Sequence, residues 1–480
     1  MKDIKIARID PWRLKIEKQG EMLTHGIVYA NSYIENYLLN DQALNQVANV
    51  ACLPGIVGPS MAMPDIHWGY GFPIGGVAAF SMKDGIVSPG GVGYDINCGI
   101  RCLKTNLTHD QVSPVIERLV ASLFNAVPSG VGSRNRAFKI SQSDFRQILV
   151  RGASWVIKQG FAPEKDLECH EDYGCINGAN PDSVSKKAIE RGLPELGTLG
   201  SGNHFLEIDT VDEIFDKDIA QTFGLFEKQV VVQVHTGSRG LGHQVCTDYI
   251  HQMIDVAAKE GIVLPDRQLA CAPLASSEAK KYLGAMASAA NFAFANREII
   301  TFLIRECFEK IFTKSFEKLG INLLYDCCHN IAKIEKVKSE GREIEVCIHR
   351  KGATRALLSG DKRLPDKFIR TGQPVLVPGD MGRESYILVG SKNAEDTFFS
   401  ACHGAGRLMS RSEAKRQAKE RTVIDNLRIK GIHIMAASRA TIVEEMPEAY
   451  KDVSKVVDTM SGAGVAIKVA RLKPIGIIKG

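Results

Sequence analysis

The side chains of a transition-metal site are scattered over most of this 480-residue chain, and that scatter constrains the fold more than any other feature. Asp95 and Cys98 share the stretch Asp95-Ile-Asn-Cys98-Gly-Ile-Arg101. His204, His235 and His329 follow in Asn203-His204-Phe205, His235-Thr-Gly-Ser-Arg239-Gly and His329-Asn330, and His403 comes last, in Cys402-His403-Gly-Ala-Gly-Arg407. Groups so far apart act together only if segments from residue 95 to residue 403 converge. The expectation is a single intertwined domain over residues 1–480, without separate modules. No internal repeat, low-complexity tract or Pro/Ser linker interrupts it.

Local patterns place several of these residues at the ends of strands. Gln229-Val-Val-Val-Gln-Val234 reads as a buried strand running into His235 and a glycine turn. Ile321-Asn-Leu-Leu-Tyr-Asp326 does the same before His329, and Pro374–Pro378 leads through Gly379-Asp380-Met-Gly382 to a strand over Ser385–Val389. Ser113-Pro114 reads as an N-cap and first helical residue, with Ile116, Leu119, Val120 and Leu123 forming one apolar face. Ser276 and Ser277 precede a long helix reaching about Phe312, whose Gly284–Ala295 stretch of small and aromatic residues predicts a core position. A basic helix is predicted over Arg407–Glu420, starting directly after His403-Gly-Ala-Gly. Mixed strands and helices without regular βαβ alternation point to an α+β fold around central β-sheets.

No apolar run reaches the roughly 18 uncharged residues that a membrane-spanning helix needs. The N-terminus lacks the apolar stretch of a signal peptide, so a cytoplasmic address is expected. Twelve cysteines without Cys-x-x-Cys spacing read as reduced thiols. A net charge of +5 permits local contact with a polyanion but does not describe a wholly basic face.

A carboxylate, a thiolate and three imidazoles form a mixed O, N and S donor set that suits Mn, Fe, Co or Zn. The thiolate of Cys98 can bridge two ions. His403 precedes Gly404, Ala405 and Gly406 at a predicted helix N-terminus, where free N–H groups receive anions. A histidine there acts as a general base, a metal ligand or a covalent nucleophile. Arg407 and Arg411 are placed to neutralise phosphate oxygens. The apolar C-terminal run Lys473–Gly480 either docks and brings Lys479 to a pocket, or frays. His25, His67, His109, His170, His243, His251, His349 and His433 are read as structural or surface groups, His67 least firmly.

Seven stretches together resemble one family, the RtcB-type RNA-splicing ligases. They are Pro64-Asp-Ile-His-Trp-Gly-Tyr-Gly-Phe-Pro-Ile-Gly-Gly76, Gly93–Arg101, Leu199–Glu207, His235–Gly240, His329–Lys333, His349–Arg355 and Cys402–Arg407. The resemblance implies a GTP- and Mn-dependent ligase that joins RNA 3′-phosphate or 2′,3′-cyclic phosphate ends to 5′-hydroxyl ends in tRNA splicing and RNA repair. His403 would be the nucleophile that carries GMP, and RNA(3′)pp(5′)G the activated end. Two Mn2+ ions would share Cys98, one also held by Asp95 and His204, the other by His235 and His329. Nucleotide contacts would come from Asn203, Phe205, Glu207, His329, Asn330, Asp380, Ser385, His403, Gly404, Ala405, Gly406, Arg407, Tyr450 and Lys479. RNA phosphates would meet Arg191, Arg239 and Arg411, and an archease-type activator is a possible partner. Asp380 departs from the small polar residue expected in its turn. The alternative reading is a dinuclear-metal RNA cyclic phosphodiesterase without ligation.

Overall fold

The computed structural model describes all residues except 1–3, 40, 137, 139, 340, 418 and 419. Two large sheets dominate the described residues. A seven-stranded sheet runs in spatial order Ile6–Asp10, Arg13–Ile16, Gly26–Tyr29, Ile56–His67, Ile74–Ser81, Arg342–Lys351 and Asn330–Ser339. An eight-stranded sheet runs Asn322–Cys328, Gly99–Thr108, Gln229–Thr236, Phe205–Ile214, Ala466–Lys479, Ser385–Gly390 and Pro374–Val377, with His433–Ala436 parallel beside Ala466–Lys479. Each sheet interleaves strands from distant parts of the chain, and the fold is α+β as expected.

The sheets meet at His329. Strand Asn322–Cys328 belongs to one sheet and strand Asn330–Ser339 to the other, with the histidine alone between them. The run Gln229–Thr236 is buried throughout, which is why it reads as unbroken valine-rich sequence, and the strand extends through His235 itself. The C-terminal run is no frayed tail. Ala466–Lys479 lies between Phe205–Ile214 and Ser385–Gly390, so most of its apolar residues are buried, with Ile467 exposed.

The long helix runs Ser277–Phe312 with Ser276 as its N-cap, its hydroxyl accepting from the Ala279 N–H at 3.1 Å. Every residue from Gly284 to Ala295 is buried. A helix covered on all sides needs small residues so that neighbours can approach, and it has them. The helix Ile116–Ala126 buries Ile116, Leu119, Val120 and Leu123 as predicted. Its start differs from the expectation. Thr108 and Gln111 form a capping box for a short helix His109–Val112, so Ser113-Pro114 sits in a 3-10 turn between two helices, with no cap bond from Ser113.

The predicted basic helix begins at Arg411 rather than Arg407, because Arg407 pairs with Tyr450 as a β-bridge and Gly406 takes φ +73°. His403-Gly-Ala-Gly therefore does not open onto a helix N-terminus. Toward the predicted end, Arg411–Gln417 and Glu420–Ile429 are helical, and positions 418 and 419 lie outside the described residues. No helix among the described residues is long and apolar enough to cross a membrane.

Candidate active site

Asp95, Cys98, His204, His235 and His329 converge at the edge where the two sheets meet. Cys98 Sγ lies 3.4 Å from His204 Nε2 and 3.2 Å from His235 Nε2. His235 Nε2 lies 3.3 Å from His329 Nε2, and His204 Nε2 lies 2.8 Å from Asp95 Oδ2. Two donor triads result, Asp95–Cys98–His204 and Cys98–His235–His329, sharing the one sulfur.

The hydrogen bonds on the far sides of the rings decide what these atoms present. His204 Nδ1 lies 2.9 Å from the Leu199 carbonyl, and His235 Nδ1 lies 3.2 Å from the Asn203 carbonyl. A carbonyl only accepts, so His235 Nδ1 carries the proton and its Nε2 turns a lone pair inward, whereas His204 Nδ1 also meets the Arg239 guanidinium and its Nε2 faces the Asp95 carboxylate. Burial, then the neighbouring imidazoles, holds His235 and His329 well below the usual histidine range, so both are neutral. Burial, then the Asp95 carboxylate, pushes the Cys98 thiol well above its usual value. Inward lone pairs, a carboxylate and a sulfur that ionises only beside a cation make a donor set that fits two metal ions.

A buried ion network sets the ligand-bearing loops. Arg297, on the long helix, donates to the Asn97 carbonyl at 2.9 Å and the Thr236 carbonyl at 3.0 Å. The same guanidinium pairs with Asp326 at 2.8 Å. One side chain thus ties the Asp95–Cys98 turn to the His235 strand, and to the strand leading into His329. Arg101 brackets Asp326 from the other side at 2.6 Å and also holds Glu298. Asn97 sits at φ +53°, and its side chain accepts from Arg297 and donates to the Ala290 carbonyl at 2.7 Å, which holds the turn open. Gly237 is required by close approach: a Cβ there would fall 2.7 Å from Cys98 Cα.

His403 faces this cluster, with its ring centroid 4.7 Å from that of His329. Asp65, fully buried on strand Ile56–His67, accepts from His403 Nδ1 at 2.5 Å, from the His403 N–H at 2.9 Å and from the Gly404 N–H at 3.3 Å. The carboxylate accepts from Nδ1 and from two adjoining main-chain N–H groups, which fixes the ring's orientation. In place of a helix N-terminus, this carboxylate holds the Gly404 N–H that follows His403.

Beyond His403 the cavity becomes an enclosed, charged recess. Lys479 Nζ lies over the Phe205 ring at 5.6 Å and donates to the Gly202 carbonyl at 3.4 Å. Burial lowers its pKa, while Glu445 and Glu207 oppose that shift. Burial and then Asp209 push Glu207 well above the usual carboxylate range. Arg407 stacks over Tyr450 at 5.0 Å and donates to Glu445 at 3.2 Å and to the Tyr450 hydroxyl at 3.1 Å. Asp380 caps its own turn by accepting from the Gly382 N–H at 2.9 Å, while Arg383 lies 3.2 Å from its other oxygen without hydrogen-bond alignment. Burial pushes this carboxyl up to about 6.

One cavity is lined by all five metal-type ligands and by Asn203, Phe205, Glu207, Asn330, Asp380, His403 to Arg407, Arg411, Tyr450 and Lys479. Three sequence candidates lie outside that lining. Ser385 stands behind it, its hydroxyl accepting from the Gly379 N–H at 3.1 Å. Arg239 packs behind His204, 3.3 Å from Nδ1, and Arg191 is exposed, donating to Gln244 at 3.0 Å. His67, read from sequence as structural or surface, lines the cavity, and burial lowers it to about 3. The sequence reading does not single out Asp65 or Glu445. Asp65 has a signal in its Pro64-Asp-Ile-His67 setting; Glu445, in Val443-Glu-Glu-Met446, has none.

Comparison with known proteins matches residues 46–480 to the family model described as tRNA-splicing ligase RtcB. A curated tRNA-splicing ligase RtcB of Archaeoglobus fulgidus is 52% identical over 92% of both chains. Proteins of the same name from Thermococcus kodakarensis and Nanoarchaeum equitans are 49% identical over 99% and 45% identical over 100% of both chains. With near full-length identity of this order, and a shared-thiol donor cluster beside a carboxylate-held histidine, the chain belongs to the tRNA-splicing ligase RtcB family.

Proposed function

We propose that this chain is a GTP-dependent RNA ligase acting in tRNA splicing and RNA repair. It would join 3′-phosphate or 2′,3′-cyclic phosphate ends to 5′-hydroxyl ends. The observation that carries the reading is the Asp65–His403 pair, which holds the His403 ring beside the donor cluster. Nε2 of His403 attacks the α-phosphorus of GTP, a P–N bond forms and pyrophosphate leaves. Asp65 stabilises the positive charge that develops on the ring. An oxygen of the RNA 3′-phosphate then attacks the same phosphorus, breaking the P–N bond and giving RNA(3′)pp(5′)G. Finally the 5′-hydroxyl oxygen attacks the RNA phosphorus, its proton is lost, and GMP leaves.

Asp95, Cys98 and His204 would hold one Mn2+ and Cys98, His235 and His329 the other. Bound there, the ions would polarise phosphoryl oxygens and ease loss of protons from attacking oxygens. Glu207 and Lys479, with Phe205 and Tyr450 beside them, offer an acid, a cation and two rings for a purine base. Arg407 and the Gly404–Gly406 N–H groups suit the nucleotide phosphates, and Asn203 and Asn330 the space between base and metals. Asp380 and Ser385 act on the Pro378–Gly379 wall. Arg411 at the rim, and Arg191 and Arg239 beyond the metal ligands, are assigned to RNA phosphates. The Gly237 approach and the Arg297 network keep the donors in place without touching substrate.

The test is incubation with α-labelled GTP and Mn2+, with an acid-labile adduct expected on wild type and absent from His403→Ala. Opening of a cyclic phosphate that needs no GTP and survives His403→Ala, with no adduct on wild type, would establish the phosphodiesterase reading instead.

A further inference from the structure

We propose that Tyr70, Tyr94 and His243 form a stacking platform for an unpaired nucleobase of the RNA strand whose end reaches Asp95 and Cys98. This inference rests on the RNA-ligase reading. Tyr94 immediately precedes Asp95, and its ring stacks on His243 at 4.7 Å and 27°. It also meets Tyr70 edge-on, at 5.4 Å and 68°. Tyr70 and Tyr94 are half-buried against the core and His243 is exposed, so the row is open to water at its His243 end.

The row is held rigidly. Gln46 clamps Gly69 by donating to its carbonyl at 2.6 Å and accepting from its N–H at 3.0 Å. The Gly71 N–H donates to Gln268 at 2.9 Å, and the Tyr70 carbonyl accepts from Lys351. His243 projects from helix Arg239–Lys259, and Asn330 holds the Asp95 carbonyl at 3.1 Å beside Tyr94. Rings fixed in this way lose little freedom when a base packs on them.

Position and charge choose the occupant. None of the three rings lines the nucleotide cavity, yet the row adjoins Asp95, whose side chain keeps 22% of its surface exposed. Arg191 and Arg239 stand within electrostatic reach of His243, as do Asp95 and Glu195. A strand whose terminal phosphate enters the metal centre must leave by a route the nucleotide does not fill. Aromatic faces flanked by arginines are how proteins hold single-stranded RNA, the rings taking bases and the cations taking phosphates.

Binding of a fluorescent 3′-phosphorylated oligoribonucleotide to Mn-loaded protein tests this. The comparison is with the same strand carrying one abasic residue near its 3′ end, position by position. Wild type should lose about 5- to 100-fold in affinity when the stacked base is removed. His243→Ala should bind both strands alike, whereas His243→Phe, which keeps a flat ring, should retain the preference. A 5-iodouridine at the preferred position should photocrosslink in wild type to Tyr70, Tyr94 or His243. The platform is overturned if no abasic position weakens wild type, if His243→Ala discriminates as wild type does, or if the crosslink maps elsewhere. His403 labelling by GTP in parallel separates the two proposals: its presence with no base preference removes the platform alone, and its absence from wild type removes the ligase reading.

Discussion

Asp65→Asn isolates what the buried carboxylate contributes to His403. In the wild type one oxygen of Asp65 receives three N–H groups, and the imidazole bond is the shortest of them at 2.5 Å. The substitution keeps size and shape but removes the charge. A hydrogen bond to a charged group contributes about 1.5–3 kcal/mol against about 0.5–1.5 for a neutral one, so the ground-state loss is near 1 kcal/mol. The larger loss belongs to the transition state of the proposed guanylylation, where His403 would become cationic as Nε2 bonds phosphorus and the anion would no longer offset that charge. If the amide NH2 turns toward the ring, the proton moves to Nε2 and the nucleophile is blocked. Together these place the fall in guanylylation rate at about 10²- to 10⁴-fold, or roughly 3–5 kcal/mol. Single-turnover labelling with α-labelled GTP measures it, with circular dichroism and GTP binding as checks on fold and pocket. A rate within threefold of wild type, with the fold intact, would refute the assignment of Asp65 to the nucleophile.

Cys98→Ser removes the only atom common to both triads, so metal content measured after equilibration with Mn2+ should fall for both ions; loss of one ion alone would show the sulfur is not shared. Arg297→Met leaves Asp326 with one cation fewer and two loop carbonyls without their donor, at a cost of about 3–5 kcal/mol in urea unfolding. A loss under 1 kcal/mol, about the size of an exposed pair, would contradict the clamp. Asp380 gives a pH signature, because its carboxyl lies at about 6 in the folded chain against 3.8 for an ordinary aspartate. The unfolded chain releases that proton first as pH rises, so stability falls between those two values and stays lower above them. Asp380→Asn carries no charge and should gain on wild type over that window by up to about 3 kcal/mol, and a pH-independent difference would contradict the shift.

The legible parts of this protein are those whose signal is local. His235 follows a valine-rich strand pattern, and the helix Ser277–Phe312 announces itself by a serine cap and a run of small residues. Cys98 and Asp95 share one turn. What stays hidden depends on pairings between distant segments. Asp65 lies in a noticeable Pro64-Asp-Ile-His67 stretch, but its partner is set only by the fold, which brings it to His403, 338 positions away in the chain. Arg407 has good helix neighbours, but its bridge to Tyr450 draws it out of the helix and into the pocket wall. Arg191 and Arg239 look alike in sequence, as basic residues beside glycine, yet Arg239 packs behind His204 and Arg191 lies in solvent.

The strand Ala466–Lys479 lies inside its sheet, not at the rim, and this has a consequence during synthesis on the ribosome. Until it emerges, Phe205–Ile214 and Ser385–Gly390 each present an unpaired edge of main-chain N–H and carbonyl groups, the kind of edge that recruits foreign strands. The nascent chain therefore passes through a long interval in which most of its donor cluster has been made but the wall bearing Lys479 has not. Such a chain is prone to aggregate and lacks that side of the cavity, so a truncated product would be a burden for chaperones and proteases.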